Sequence, residues 1–316
     1  MSERAGDPLR ERLGELVRKR RAGVVRAPDA EAGAGAEADA EPGGARSPDA
    51  GADEAAADGS PPPSRRRERR AVPEPGTVAG VEAFLPGGEW RDAQGRPVYV
   101  HERLRSDVEK RRAHWGRLPE PPTGEPELSA IAAMGLGRAL FLDLETCGLS
   151  SSPVFLAGTM HWNGEDFVLR QYFARHYGEE AALLAAVHEQ AKGFELLVTF
   201  NGKSYDAPFL AARALTHGVP MTLPRYHVDL LHLSRRRWKH ELRDCRLQTL
   251  EYHVCRRRRI GDVPGEQVPG LYHEYVKRGD PYALVPVFHH NLLDVITMAE
   301  ILHALCLPEG AGRKRR

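Results

Sequence analysis

The chain has 316 residues, with 45 Lys and Arg against 44 Asp and Glu, a net charge of +1 and a pI near 7.8, so global charge neither favours nor disfavours a polyanionic partner. No apolar run reaches the roughly 18 residues a membrane span needs, and the N-terminus has no apolar signal core, so a cytoplasmic protein without membrane contact is expected. Cys147, Cys245, Cys255 and Cys306 have neither C-x-x-C nor zinc-site spacing and are expected to be reduced thiols.

In chain order, residues 1–21 place Leu9, Leu13, Leu16 and Val17 at helical spacing among Arg10, Arg12, Arg18, Lys19, Arg20 and Arg21. This predicts a short basic amphipathic helix that docks on the chain's own core, on a protein partner or on phosphates. Residues 22–72 are rich in Ala, Gly, Asp, Glu, Pro and Arg and contain no aromatic residue. Such a stretch buries too little apolar surface to offset the entropy of ordering it, and a disordered linker is expected. Residues 73–127 read as an entry segment packing on the core. It has short strands at Val81 to Leu85 and Pro97 to Val100, a helix from Glu102 to Trp115, and a Pro-rich break from Pro119 to Pro126.

The main domain is expected over 128–307, with a basic tail over 308–316. The apolar run Ala139 to Leu142 reads as a buried strand. Strands at Val154 to Trp162 and Phe167 to Phe173 are joined at Asn163-Gly164, a strong hairpin signal. Glu179 to Lys192 is expected to be helical, Leu196 to Phe200 a further strand, and Asp206 to His217 a helix. Val228 to His240, Gln248 to Val254 and Tyr282 to Cys306 are also read as helices. Three opening antiparallel strands followed by alternating strands and helices predict an α/β fold, a mixed sheet with helices packed on it.

Acidic residues stand out against this pattern. Asp143 and Glu145 close the first strand two positions apart, so both side chains project to one face. Like charges held that closely favour a hard divalent cation, although an exposed edge strand with solvated acids has the same spacing. Asp206 follows the turn Asn201-Gly202, where either an N-cap role or a site role fits. In the last helix His289, His290 and Asp294 stand near an apolar face, and His290 pairs with Asp294 at i, i+4. No Walker loop, G-x-S-x-G nucleophile or dinucleotide fingerprint occurs.

The set resembles the DEDD exonucleases of the RNase H-like superfamily, the DnaQ-like group, and within it the YprB-type RNase H-like domain. The resemblance is carried in order by Phe141 to Leu149, Asn201 to Leu210, Asp229 to Arg236, Cys245 to Glu251, Asp262 to Gly265 and His290 to Asp294. It implies an RNase H-like fold and a metal-dependent 3′–5′ exonuclease. Asp143, Glu145, Asp206 and Asp294 would hold two divalent ions, Mg²⁺ or Mn²⁺. The family's general base is a His five positions before the last Asp or a Tyr four before it. His289 fits the first spacing and is favoured, while His290 occupies the second.

Single-stranded DNA or RNA is the expected partner. Asn201, Lys203, Tyr205, Arg235, Arg236, Arg256 and Arg257 are candidate contacts, with Tyr252 and Trp238 as possible stacking surfaces. The rival expectations are a non-catalytic nucleic-acid-binding module and a structure-specific endonuclease.

Overall fold

The computed structural model describes residues 80–109, 118–148 and 152–308. The expected N-terminal helix, the linker to residue 72, residues 110–115 of the expected 102–115 helix and the basic run from Arg313 to Arg316 lie outside the described residues.

The chain enters through a 3₁₀ turn at Val81–Ala83 and a hairpin of β1 (Gly87–Arg91) and β2 (Pro97–Leu104). Asp92 Oδ1 accepts from the backbone N–H of Gln94 and of Arg96, both at 2.9 Å, which closes that hairpin. Helix α1 (Arg105–Val108) is one turn long, and α2 (Pro126–Met134) starts with Pro at its first position. Next come β3 (Ala139–Thr146), β4 (Val154–Trp162) and β5 (Phe167–Phe173). They are followed by α3 (Glu180–Ala191), β6 (Leu196–Thr199), α4 (Asp206–His217) and β7 (Tyr226–Asp229). Helices α5 (Leu230–Trp238), α6 (Leu247–His253), α7 (Val268–Arg278) and α8 (Val285–Cys306) complete the fold.

All seven strands form one sheet in the order β1-β2-β5-β4-β3-β6-β7. Pairing is antiparallel from β1 to β3 and parallel across β3, β6 and β7. The continuous apolar sequence of β3 and β6 follows from helices on both faces. Phe141 and Val198 face a core shared with Leu292, Ile296 and Leu302 of α8. Leu142 and Leu197 face the opposite core, with Leu183 and Val187 of α3 and Leu210 of α4.

Several elements differ from the sequence expectations, each for a physical reason. Val81, Phe84 and Leu85 are buried while Glu82 and Ala83 are exposed. That spacing of three and four suits a helical turn, so Val81–Ala83 is a 3₁₀ turn and not a strand. The helix expected from Glu102 begins only at Arg105, because β2 continues to Leu104 and pairs Glu102 with Arg170 and Leu104 with Val168. Val228 and Asp229 end a parallel strand, and the helix expected from Val228 starts at Leu230 behind an Asp229 N-cap. Strand β1 and helices α2 and α7 were not anticipated. The two glycines of Gly87-Gly88, and the prolines leading into α2, weaken their local signals.

Candidate metal centre

Asp143 and Glu145 lie on the α8 side of β3, at the end of the strand. Asp143 pairs in register with Gly158 of β4, and Gly158 with Gln171 of β5. A helix residue closes over this row. Asn291 of α8, fully buried, donates from Nδ2 to Asp143 Oδ2 at 2.9 Å and accepts on Oδ1 from Gln171 Nε2 at 3.0 Å. Only glycine fits beneath it, since a Cβ at position 158 would stand 2.1 Å from Asn291 Oδ1.

The second approach is the turn after β6. Asn201 adopts a left-handed backbone (φ 64°), and Gly202 passes so near Thr199 that a Cβ would lie 2.4 Å from its side chain. Buried Asp229 ties the turn down: its carboxylate accepts from Asn201 N at 2.8 Å, Lys203 N at 3.1 Å and Leu231 N at 3.0 Å. The turn delivers Asp206, the first residue of α4. Its Oδ1 accepts from Leu144 N at 3.1 Å, fastening the start of α4 to β3.

Helix α8 brings Asp294 and His290, both buried. Donor atoms of Glu145, His290 and Asp294 all lie within 4.8 Å of one another. His290 Nδ1 contacts Asp262 Oδ1 at 2.7 Å, and its Nε2 is 3.4 Å from Asp294 Oδ2. Arg259 donates to Asp294, to Glu251 and, at 3.3 Å, to Asp262 Oδ2. The imidazole in this cluster therefore belongs to His290; His289, the residue favoured on spacing, is one step and about 100° away round the helix.

The electrostatics reflect this crowding. Burial, and then the charges of Asp294, Glu145 and Asp206, push the Asp143 carboxyl well above the usual range. Burial raises Glu145 to about 8; His290 opposes that rise, and Asp294, Asp206 and Asp262 add to it. Asp206 is raised to about 7 by burial and by Asp229 and Asp294, against hydrogen bonds from its own N–H and that of Leu144. Burial lowers His290, but its bond to Asp262 and the charges of Asp294 and Glu145 win, raising it to about 9. Carboxyls that burial and one another's charge keep protonated near neutrality form a hard-oxygen donor set, which fits a divalent cation.

The expected nucleic-acid contacts separate into two groups. Lys203 and Tyr205, the latter 58% exposed, stand at the rim beside half-buried Asn201, and Arg235 and Arg256 are exposed. Arg236 is paired with Glu125 at 2.7 Å and Glu127 at 3.1 Å. Arg257 turns inward to Glu109 and to Glu300, the latter at 2.6 Å. Arg236 and Arg257 thus serve ion pairs within the fold, and Trp238 packs against the core. Asn291, Gly158, Asp229, Asp262 and Arg259 were not among the expected site residues. A polar residue inside an apolar helix and a glycine inside an apolar strand are the signals that point to Asn291 and Gly158.

A sheet of this order with acids converging at the end of β3 defines a class, and the family comparison agrees. The model of the RNase_H superfamily matches residues 140–306, just over half the chain, and the chain belongs to that superfamily. The match begins in β3 and ends with α8, leaving β1 and β2 outside it. Among curated proteins the chain is similar to the uncharacterized protein YprB of Bacillus subtilis (strain 168), with 34% identity over 178 residues. That alignment covers 54% of this chain and 43% of YprB, so the chain spans less than half of that relative's length. Among solved structures it is similar to the family B DNA polymerase of the hyperthermophilic archaeon Pyrobaculum calidifontis. The TM-score is 0.44 and the identity 18%, over 53% of this chain and 24% of the polymerase. Among the described residues no helix is long and apolar enough to cross a membrane.

Proposed function

We propose that the chain is a metal-dependent nuclease, a 3′–5′ exonuclease that hydrolyses phosphodiester bonds in single-stranded DNA or RNA by two-metal chemistry. The supporting observation is the convergence of acids from separate stretches of sequence: Asp143 and Glu145 from β3, Asp206 from α4 and Asp294 from α8. Divalent ions held by these four would supply Lewis-acid charge at the phosphoryl oxygens and lower the pKa of the attacking water.

The chain's own groups have distinct tasks in this reading. Asn291 fixes one oxygen of Asp143 and so orients the carboxylate that would hold a cation. The backbone bond from Leu144 sets the position of Asp206 against β3. His290 is oriented by Asp262 and is an imidazolium at neutral pH, so it acts first as a counter-charge. It would accept a proton only once the charge of the acids around it is neutralised. Lys203 and Tyr205 at the rim offer a cation and an aromatic face to the strand.

End-labelled single-stranded DNA, RNA and a hybrid duplex, incubated in Mg²⁺, Mn²⁺ or EDTA, test this proposal. Shortening from the 3′ end that needs metal and is absent in Asp206→Asn is expected. A strand retarded on a gel but left intact in every metal would replace the nuclease with a binding module.

A further inference from the structure

Beside the carboxylates, between α6 and residues 257–264, opens a cleft of about 480 Å³. This lies within the roughly 300–1,000 Å³ of small-ligand sites and has room for one nucleotide. At one end of its lining are Arg259 and Asp262, which contact Asp294 and His290 of the candidate metal centre. At the other are Tyr252 and Arg258.

The four arginines from 256 to 259 alternate in their surroundings. Arg257 and Arg259 point inward and are held by carboxylates: Glu109 and Glu300 for the first, Glu251, Asp262 and Asp294 for the second. Arg256 and Arg258 are exposed. Among the described residues Arg258 meets no carboxylate. Its guanidinium lies 5.2 Å above the Tyr252 ring and donates to the Tyr252 hydroxyl at 3.0 Å. The ring itself is 45% exposed. An aromatic face in water, a cation without an anion, and an open cleft leading to a set of acids suit a ligand with a flat base and a negative backbone.

We infer that this cleft is a subsite for one unpaired nucleotide of the strand, next to the phosphodiester that reacts at the carboxylates. The base stacks on Tyr252, and Arg258 leaves the ring to meet the phosphate. The inference rests on the nuclease reading and adds to it the side from which the single strand arrives.

Fluorescence anisotropy tests it, using 5′-labelled oligo(dT) and oligo(U) of about eight nucleotides and Asp206→Asn protein in Mg²⁺, so that the strand is held and not cut. Adding Tyr252→Ala is expected to weaken binding about ten-fold, whereas Tyr252→Phe, which keeps the ring, stays within about two-fold. An abasic nucleotide stepped along the strand is expected to abolish the Tyr252→Ala penalty at one position near the 3′ end. Arg258→Gln is expected to reduce the slope of log Kd against log salt by about 0.7, as for one lost phosphate contact on a single strand. Equal binding by the Tyr252→Ala and Tyr252→Phe proteins, or a penalty indifferent to the abasic position, overturns the subsite. If wild type still shortens strands in that case, the nuclease reading survives alone. If wild type neither cuts nor binds any strand, both fall together.

Discussion

Asp143, Glu145 and Asp206 are acids whose ionised forms are disfavoured by burial and by one another. A carboxyl with a raised folded pKa contributes stability below its unfolded pKa and loses that contribution as pH rises through the folded value. For Asp206 and Glu145 the window runs from ordinary values of 3.8 and 4.5 up to about 7 and about 8. His290, raised to about 9, shifts stability in the same direction, while the depressed carboxyls Glu180 and Asp262 act below this window. In EDTA the melting temperature is therefore expected to fall by several degrees between about pH 5 and pH 8, and Mg²⁺ at pH 8 is expected to restore it. Asp143→Asn, which removes one of the repelling charges, should flatten that fall and lose much of the Mg²⁺ gain. A profile that is flat in EDTA and unmoved by Mg²⁺ would contradict a metal role for these acids. Asp294→Asn is a different change, because Asp294 also neutralises buried Arg259 and its loss costs stability even without metal.

At the scale of elements, the position of α8 over the sheet depends on the contact between a strand glycine and a helix asparagine. Gly158→Ala would force Asn291 away from both Asp143 and Gln171. A loss of about 1–3 kcal/mol is expected in urea unfolding, together with lower cleavage. Gly88→Ala in β1, where nothing lies within 4 Å of the added Cβ, should change stability by under about 0.5 kcal/mol and serves as the control. Strands β4 and β5 were legible to the residue because Asn163-Gly164 marks the turn; Asn163 Oδ1 accepts from Glu165 N and Asp166 N, both at 2.9 Å. Strand β7 was not legible. Its pairing with β6 makes Val228 and Asp229 extended, although they run straight into a sequence that suits a helix.

For the whole molecule, the β1–β2 hairpin extends the sheet beyond the family match and is tied to α8 through charge. Arg105 reaches Glu300 at 2.9 Å and Glu109 at 3.2 Å, and Arg257 bridges the same two acids. Desolvation opposes the charge on Arg257, but the bond to Glu109 and the charges of Glu300 and Glu109 keep its pKa raised. Arg257→Gln leaves two half-buried carboxylates short of a partner, and a loss of about 3–5 kcal/mol is expected by chemical denaturation. Arg236→Gln breaks an exposed pair and is expected to cost at most about 1 kcal/mol. Comparable losses for the two variants would mean that the Arg257 cluster does not hold the hairpin to the rest.

Local information was enough for the strand–turn–strand opening, the start of α4 and the long C-terminal helix. Apolar periodicity and turn residues act within a few positions of themselves. The four acids could also be picked out along the chain, but only as an ordered set through the resemblance. Asp143 with Glu145, and Asp206, each had an ordinary reading, as solvated edge acids and as an N-cap. Which imidazole joins them, and which arginines stay available to a strand, depended on partners distant in sequence. His290 meets Asp262, Arg257 meets Glu109, and Asn291 meets Asp143 only after α8 and residues 256–262 have packed across the sheet. No pattern along the sequence specifies such contacts, because the packing of separate elements determines which charges are neutralised and which remain for a ligand.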